Sequence, residues 1–473
     1  MTEWTSKQRY RPYASYQPSY LASLKQAQQQ SKYHLGYHIQ PESGLLNDPN
    51  GFAFFNNQWQ LFYQSFPFGP VHGLKSWQHV SSADLAHWSA PTPALQPHAP
   101  FTSQGVYSGS ALPVGNRLFL MYTGNVHPVG QPRESTQLGA WMAEDGTITE
   151  LSQPLIATPP VGYTAHFRDP QILQVDDCYY AVIGAQREDL VGEILLYQAT
   201  QPEGPWSLVG PLDWQQDKLG YMIECPNVAF VDGHVVILLC PQGLDRNRFA
   251  YQNIYPNTYI VADAIDWHTG TVINPGPMQN FDAGFDCYAT QVVNRPGDSA
   301  YAVSWMGLPE IDYPTDTEGW QGCLSVIKKL RIRNGQLIQE PVVSPLLGTE
   351  FDAQLQLDMQ SVLEFAIAPE TAGVIQLGNS QEALEINLST EGLSISRQRA
   401  GIPFAQAYGS ERQLAWGKGP HTLAIYIDHS TFEIFVDAGE QVVSGRMFPR
   451  SSASWRLTVP SGVRVNARHM SSI

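Results

Sequence analysis

Cysteine is scarce: five residues, at positions 178, 225, 240, 287 and 323, stand far apart along the chain. An odd number without close pairs fits neither a disulfide framework nor a zinc site, so reduced thiols and a cytoplasmic location are expected. Charge is sparse too, at 15% of residues, and the positive share is the smaller: 27 Lys and Arg against 43 Asp and Glu, a net −16. Nucleic acid or an anionic membrane calls for a basic face, so neither is expected as a partner. A few local cations would still suffice for one phosphate on a small substrate. No apolar run approaches membrane-spanning length, and Met1-Thr2-Glu3-Trp4-Thr5 leads into no apolar core of signal-peptide length.

What the chain does have is strand-forming residues and turns. At 473 residues it is too long for one core, so two domains are expected, and 43% hydrophobic with 11% aromatic content suits strands. One phrase organises it. Asp48-Pro49-Asn50-Gly51 opens an apolar run, Phe52 to Phe55, which turns at Asn56-Asn57 and resumes as Trp59-Gln60-Leu61-Phe62-Tyr63. The phrase returns from Asp169 with a turn at Asp176-Asp177, and from Glu224 with a turn at Asp232-Gly233. Weaker copies turn at Gly115-Asn116 and near Pro296-Gly297. A spacing of about sixty residues is long for a solenoid and suits four-stranded propeller blades, five in number.

In the three clearest copies Asp48, Asp169 and Glu224 occupy one position ahead of the turn, so a radial repeat brings them to one end of a central channel. Each acid could simply cap its own turn. Three in register argue instead for a site, because crowded carboxylates perturb one another and mark acid/base chemistry.

The residues around these acids resemble the glycoside hydrolase family of invertases, fructanases and bacterial sucrose-6-phosphate hydrolases, most of all its last group. The matching blocks are Leu46-Asn47-Asp48-Pro49-Asn50-Gly51, Phe62-Tyr63-Gln64, Tyr107-Ser108-Gly109-Ser110, Phe167-Arg168-Asp169-Pro170, Glu224-Cys225-Pro226 and Phe432-Glu433-Ile434-Phe435-Val436. The resemblance implies an all-β fold, a five-bladed β-propeller followed by a C-terminal β-sandwich, and a retaining β-fructofuranosidase acting on sucrose 6-phosphate and sucrose. It implies Asp48 as nucleophile, Glu224 as acid/base and Asp169 as the acid that holds the sugar and stabilises the transition state. Direct attack then needs Asp48 and Glu224 roughly 5 to 5.5 Å apart. Met222-Ile223 and Cys225-Pro226 suggest an apolar setting for Glu224, with Cys225 tuning it. Leu45, Leu46, Asn47, Gln64, Tyr107, Ser108, Arg168 and Trp320 are expected to bind substrate, and Trp77 and Trp305 are further candidate walls. Leu45 stands where many relatives carry tryptophan. Arg168 and Asp169, as strand neighbours, can share a site only at a bend.

His72, Lys75, Arg187, Arg246 and Arg248 are candidate cations for the phosphate. Gly73-Leu74-Lys75-Ser76 lacks the glycine spacing of a nucleotide loop. No metal or organic cofactor is called for, and the oligomeric state is left open. Other readings on the same scaffold are a fructosyltransferase, a fructan hydrolase, or a carbohydrate-binding propeller without turnover. The expected organisation is an extension over 1–32 with a short helix from Tyr20 to Ala27, packed outside a blade. The propeller follows over 33–340, then a linker over 341–350 and a sandwich over 351–473. Alternating runs such as Leu384 to Leu388 and Phe432 to Val436 read as strands buried on one face and wet on the other. No acid there is in register, so the sandwich is expected to be structural.

Overall fold

Short aromatic and β-branched runs broken by tight turns favour hairpins, and all five expected hairpins form. Asn56 and Asn57 both take left-handed backbone (φ 51° and 58°), as do Asp232 and Gly233 (49° and 84°), the conformation that matches the twist of paired strands. The computed structural model describes residues 4–128, 130–214, 219–249 and 253–473.

Up to Pro341 the described residues form a succession of five larger sheets, whose first strands are Gly44–Phe55, Val106–Val114, Tyr163–Val175, Met222–Val231 and Tyr288–Asn294, and a two-stranded sheet of Ala264–Asp266 and Thr271–Ile273. Each of the five packs face to face on the next, as where Phe62 and Trp77 meet Leu120 and Tyr122, or Leu173 and Val182 meet Val228 and Ile237. The fifth returns to the first, with Val303 and Tyr301 against Phe52 and Trp59. Trp320–Gln321 closes the succession by pairing in parallel with Gly44 and Leu45.

A belt of buried polar side chains ties the first strands together. Asn50 Oδ1 accepts from Gly109 N (2.8 Å), Ser110 Oγ from Ile172 N (2.8 Å) and Gln171 Oε1 from Val228 N (2.6 Å). Asn227 Oδ1 accepts from Val292 N (3.2 Å), and Gln291 Oε1 accepts from Phe52 N (3.2 Å), back on the first sheet. Each bond satisfies a backbone donor that would cost about 1–3 kcal/mol if left buried and bare. The belt also fixes the true register. Two residues before its members stand Asp48, Ser108, Asp169, Cys225 and Ala289, so Glu224 lies one place out of the expected register, in line with Asn47, Tyr107, Arg168 and Tyr288.

The C-terminal part is two packed sheets, one of six strands and one of five, around a core that includes Leu363, Ile425 and Ile434 on one side and Ile375, Ile386 and Ile395 on the other. Three expectations change here. The stretch 341–350 is not a bare linker: Leu347–Glu350 is a strand paired with Val463–Met470. Thr431–Val436 is buried on both faces, because Glu433 and Phe435 point into the junction with the first five sheets. There His38 bridges Asp428 (2.9 Å) and Glu433 (3.0 Å), and Lys328 lies 3.5 Å from Glu433 and 3.9 Å from Asp282, all buried. The N-terminal helix is present as Pro18–Gln29, but the extension reaches further than the outside of a sheet. Tyr16 stacks on Phe68 (centroids 3.8 Å apart), and Arg9 O accepts from Leu74 N (2.8 Å) beside the channel end.

Candidate active site

All five first strands are interrupted at the same end by a bulge, where Asn47-Asp48, Tyr107-Ser108, Asp169-Pro170, Cys225-Pro226 and Ala289-Thr290 fall. A bulge adds a residue to one strand and re-aims its side chains. Asp169 is the clearest case: left-handed backbone (φ 63°) lets it face the same cavity as Arg168, which supplies the bend that neighbouring residues need. Cys225 (φ 49°) does the same one strand on.

The bulges open into a cavity of about 500 Å³ walled in part by Asp48, Asp169 and Glu224. Asp48 is held from both sides, by Asn47 Nδ2 (2.9 Å) and Ser108 Oγ (2.5 Å). Gln64 braces both helpers, accepting from Asn47 Nδ2 (2.6 Å) and donating to Ser108 Oγ (2.7 Å). Beneath them lies Lys75, buried, whose ammonium donates to Asn47 Oδ1 (2.7 Å) and Gln64 Oε1 (2.9 Å) and contacts His72 Nδ1 (2.7 Å). Burial lowers the Lys75 pKa to about 8, although Asp48, Glu224 and Asp169 pull it back up.

Glu224 sits among donors, not among apolar atoms as its sequence neighbours suggested. Oε1 accepts from Arg168 Nη2 (2.6 Å) and Nε (3.1 Å), and Oε2 accepts from Tyr288 OH (2.6 Å) and Gln242 Nε2 (2.8 Å). Its strand neighbours Met222, Ile223 and Cys225 are buried in the structure behind it. Cys225 attends to Asp169 instead, its N–H 3.1 Å and its Sγ 3.7 Å from Asp169 Oδ2. Burial, opposed by Arg168 and reinforced by the charges of Glu224 and Asp48, raises the Asp169 pKa to about 7.

Of the expected contacts, Asn47, Gln64, Tyr107, Ser108 and Arg168 line the cavity. Leu45, Leu46 and Trp320 do not. All three are fully buried in the core between the fifth and first sheets, where the parallel Trp320–Gln321 strand packs under the start of Gly44–Phe55. Trp77 is core as well, its Nε1 donating to Tyr107 O (3.0 Å), whereas Trp305 reaches the cavity wall. Among the candidate cations, His72 and Lys75 line the cavity. Arg187 is an exposed partner of Asp189 and Glu193, Arg246 lies over the Tyr408 ring, and Arg248 lies by Phe249.

The chain as a whole has counterparts among known proteins. The model for the Glycosyl hydrolases family 32 N-terminal domain matches residues 38–341, and that for the Glycosyl hydrolases family 32 C terminal matches 327–467. The chain belongs to glycosyl hydrolase family 32. As a family 32 member it is a glycoside hydrolase. It is 43% identical to a sucrose-6-phosphate hydrolase of Pediococcus pentosaceus over 96% of this chain and 94% of that one. Its fold superposes on the structure of sucrose-6-phosphate hydrolase from Lactobacillus gasseri with a TM-score of 0.95 at 38% identity, covering 100% and 99% of the two chains. A family 32 β-fructofuranosidase of Bombyx mori gives 0.84 at 26% identity, covering 96% and 97%.

Sequence reasoning did not find Tyr288, Gln242, Arg9, Tyr10, Arg133 and His166 in this family 32 cavity. Tyr288 carried a usable signal, since it lies in the weakest copy of the repeat at the place of Arg168 and Glu224. Arg9 and Tyr10 carried none, coming from outside the repeats.

Proposed function

We propose that the protein is a retaining β-fructofuranosidase that hydrolyses sucrose 6-phosphate, and sucrose, by double displacement. The observation that carries this reading is the arrangement of Asp48 and Glu224 in one cavity with unlike surroundings. Two donors aim the Asp48 carboxylate, which attacks the anomeric carbon of the fructosyl unit. Glu224 protonates the departing glucosyl oxygen, then takes a proton from the water that releases fructose from Asp48. Asp169, in the same cavity, accepts hydrogen bonds from the fructosyl hydroxyls and stabilises positive charge at the transition state. Asn47, Gln64, Tyr107, Ser108 and Arg168 position sugar or the acids themselves.

The reading includes the architecture that makes it possible. The ring of five sheets is a five-bladed propeller with a sandwich behind it, supported by the belt from Asn50 to Gln291 and by the return of the fifth sheet to the first. A propeller domain to about residue 340 and a sandwich from about 351, joined by residues that already pair with the sandwich, suit this arrangement.

Proton NMR of the first turnovers tests the mechanism: β-fructofuranose should appear before mutarotation, and methanol should intercept the intermediate as methyl β-fructofuranoside. Initial release of the α anomer would rule out double displacement, and a sample inert towards both sucrose and sucrose 6-phosphate would remove the activity altogether.

A further inference from the structure

Three carboxylates in one cavity repel an anionic substrate, so a phosphorylated sugar needs cations that are not already neutralised. Most of the basic groups in the wall are engaged. Arg168 pairs with Glu224 at 2.6 Å, and the Lys75 ammonium is held beneath Asn47 and Gln64. Burial, with Arg168 and Arg133 nearby, lowers the His166 pKa to about 4, and burial beside Lys75 and Arg9 keeps His72 neutral as well.

Arg9 and Arg133 differ. Both line the cavity, and neither pairs with a carboxylate among the described residues. Arg9 Nε and Nη1 donate to Trp4 O and His72 O (3.1 Å each), contacts that orient the guanidinium without neutralising it. Its helical turn, Ser6–Arg9, is itself fixed by reciprocal bonds between Thr5 and Gln8. Arg133 lies by the Tyr107 ring, 6.0 Å from its centroid. The hydroxyl of Tyr10 lies beside that of Tyr107, within the field of both guanidiniums. The wall also carries Pro309 and Glu310, the latter accepting from Tyr255 OH (3.3 Å). Arg9 and Arg133 thus give the wall two guanidiniums without a carboxylate partner among the described residues, and Tyr10 a hydroxyl within their field.

We infer that Arg9 and Arg133, together with Tyr10, form a phosphomonoester clamp in the cavity wall that selects substrates phosphorylated on the leaving sugar. The inference rests on the fructofuranosidase reading for the identity of that sugar. The N-terminal extension is then part of substrate selection, since it supplies Arg9 and Tyr10.

Charge-assisted hydrogen bonds to one guanidinium correspond to roughly 10- to 100-fold in affinity. The test compares kcat/KM for sucrose 6-phosphate and sucrose in the wild type, R133Q and R9Q. R133Q is the cleaner variant, because Arg133 braces no backbone carbonyl among the described residues, whereas Arg9 also steadies the loop at His72. The ratio of the two kcat/KM values should fall roughly 10- to 100-fold in each variant. Calorimetric binding of glucose 6-phosphate should weaken by a similar factor. An unchanged ratio, or an equal loss for both substrates, overturns the clamp. A wild type that hydrolyses neither sugar sinks the fructofuranosidase reading alone: loss of glucose 6-phosphate binding in R133Q then still supports the clamp, and unaltered binding overturns it.

Discussion

Two clusters of buried charge lie in this molecule, one in the cavity and one where the five sheets meet the C-terminal pair. His38, Asp428 and Glu433 in the second are treated in the opposite way to Asp169 and Lys75 in the first, although burial also raises the Asp282 pKa at the junction. At the junction, burial opposes the charge on His38, but its hydrogen bonds to the Asp428 and Glu433 carboxylates overcome it and raise its pKa to about 9. Asp428 is likewise driven below the usual carboxylate range by His38, His429 and backbone N–H groups in spite of its burial, and Glu433 is lowered by Lys328 and His38. In the cavity burial wins: Asp169 is raised to about 7 and Lys75 lowered to about 8. Both clusters mix acids with bases, so composition does not separate them. What separates them is compensation. Where neighbouring groups of opposite charge outweigh burial the ion keeps its charge and acts as mortar, and where burial outweighs them the group stays close to losing its charge, as acid/base chemistry requires.

The largest test of this contrast is Asp48→Asn, for which kcat should fall roughly 10⁴-fold or more while the urea midpoint stays put. Turnover above about one per cent of wild type would end the assignment of the nucleophile. His38→Gln should do the reverse, costing about 3–5 kcal/mol in urea titrations by stranding buried Asp428 and Glu433, with kcat/KM of the folded enzyme unaltered.

Lys75→Met should lower kcat/KM roughly tenfold or more by releasing Asn47 and Gln64, and should abolish a wild-type alkaline decline near pH 8. Stability against pH sharpens the comparison further. The folded His38 pKa, about 9, exceeds its ordinary 6.5, so its contribution is whole below pH 6.5 and is lost as pH rises through 9. Lys75 runs the other way: its folded value of about 8 lies below 10.5, so stability rises between those limits. Urea midpoints across this range should lose the fall in His38→Gln and the rise in Lys75→Met; the same slopes in both variants would dissolve the distinction. The smallest effect is expected for Arg187→Gln, an exposed ion pair outside both clusters, with urea midpoint and both kcat/KM values unchanged.

Much of the site was legible because repeats are. Turn residues recurring at one interval announced the sheets, and Asp48, Asp169 and Glu224 stood out as acids at their openings. The one-place offset of Glu224 was hidden, since a bulge changes which residue faces inwards without changing composition. Leu45, Leu46 and Trp320 were misplaced for a related reason: adjacency to Asn47 along the chain says nothing about which face a strand residue takes. The cluster of Arg9 and Arg133 eluded sequence reading because Arg9 lies outside any repeat and meets His72 and Leu74 only in the folded state. At the sandwich, Glu433 looked like a solvent-facing strand residue, and only the neighbouring domain shows it to be the partner of His38 and Lys328.

The belt's final link, from Gln291 to Phe52, joins positions 239 residues apart. During synthesis Asp48 leaves the ribosome long before the strand that completes its ring exists. The first four sheets are made before that strand, and Glu224 gains the Tyr288 hydroxyl among its donors only once the fifth sheet has joined them.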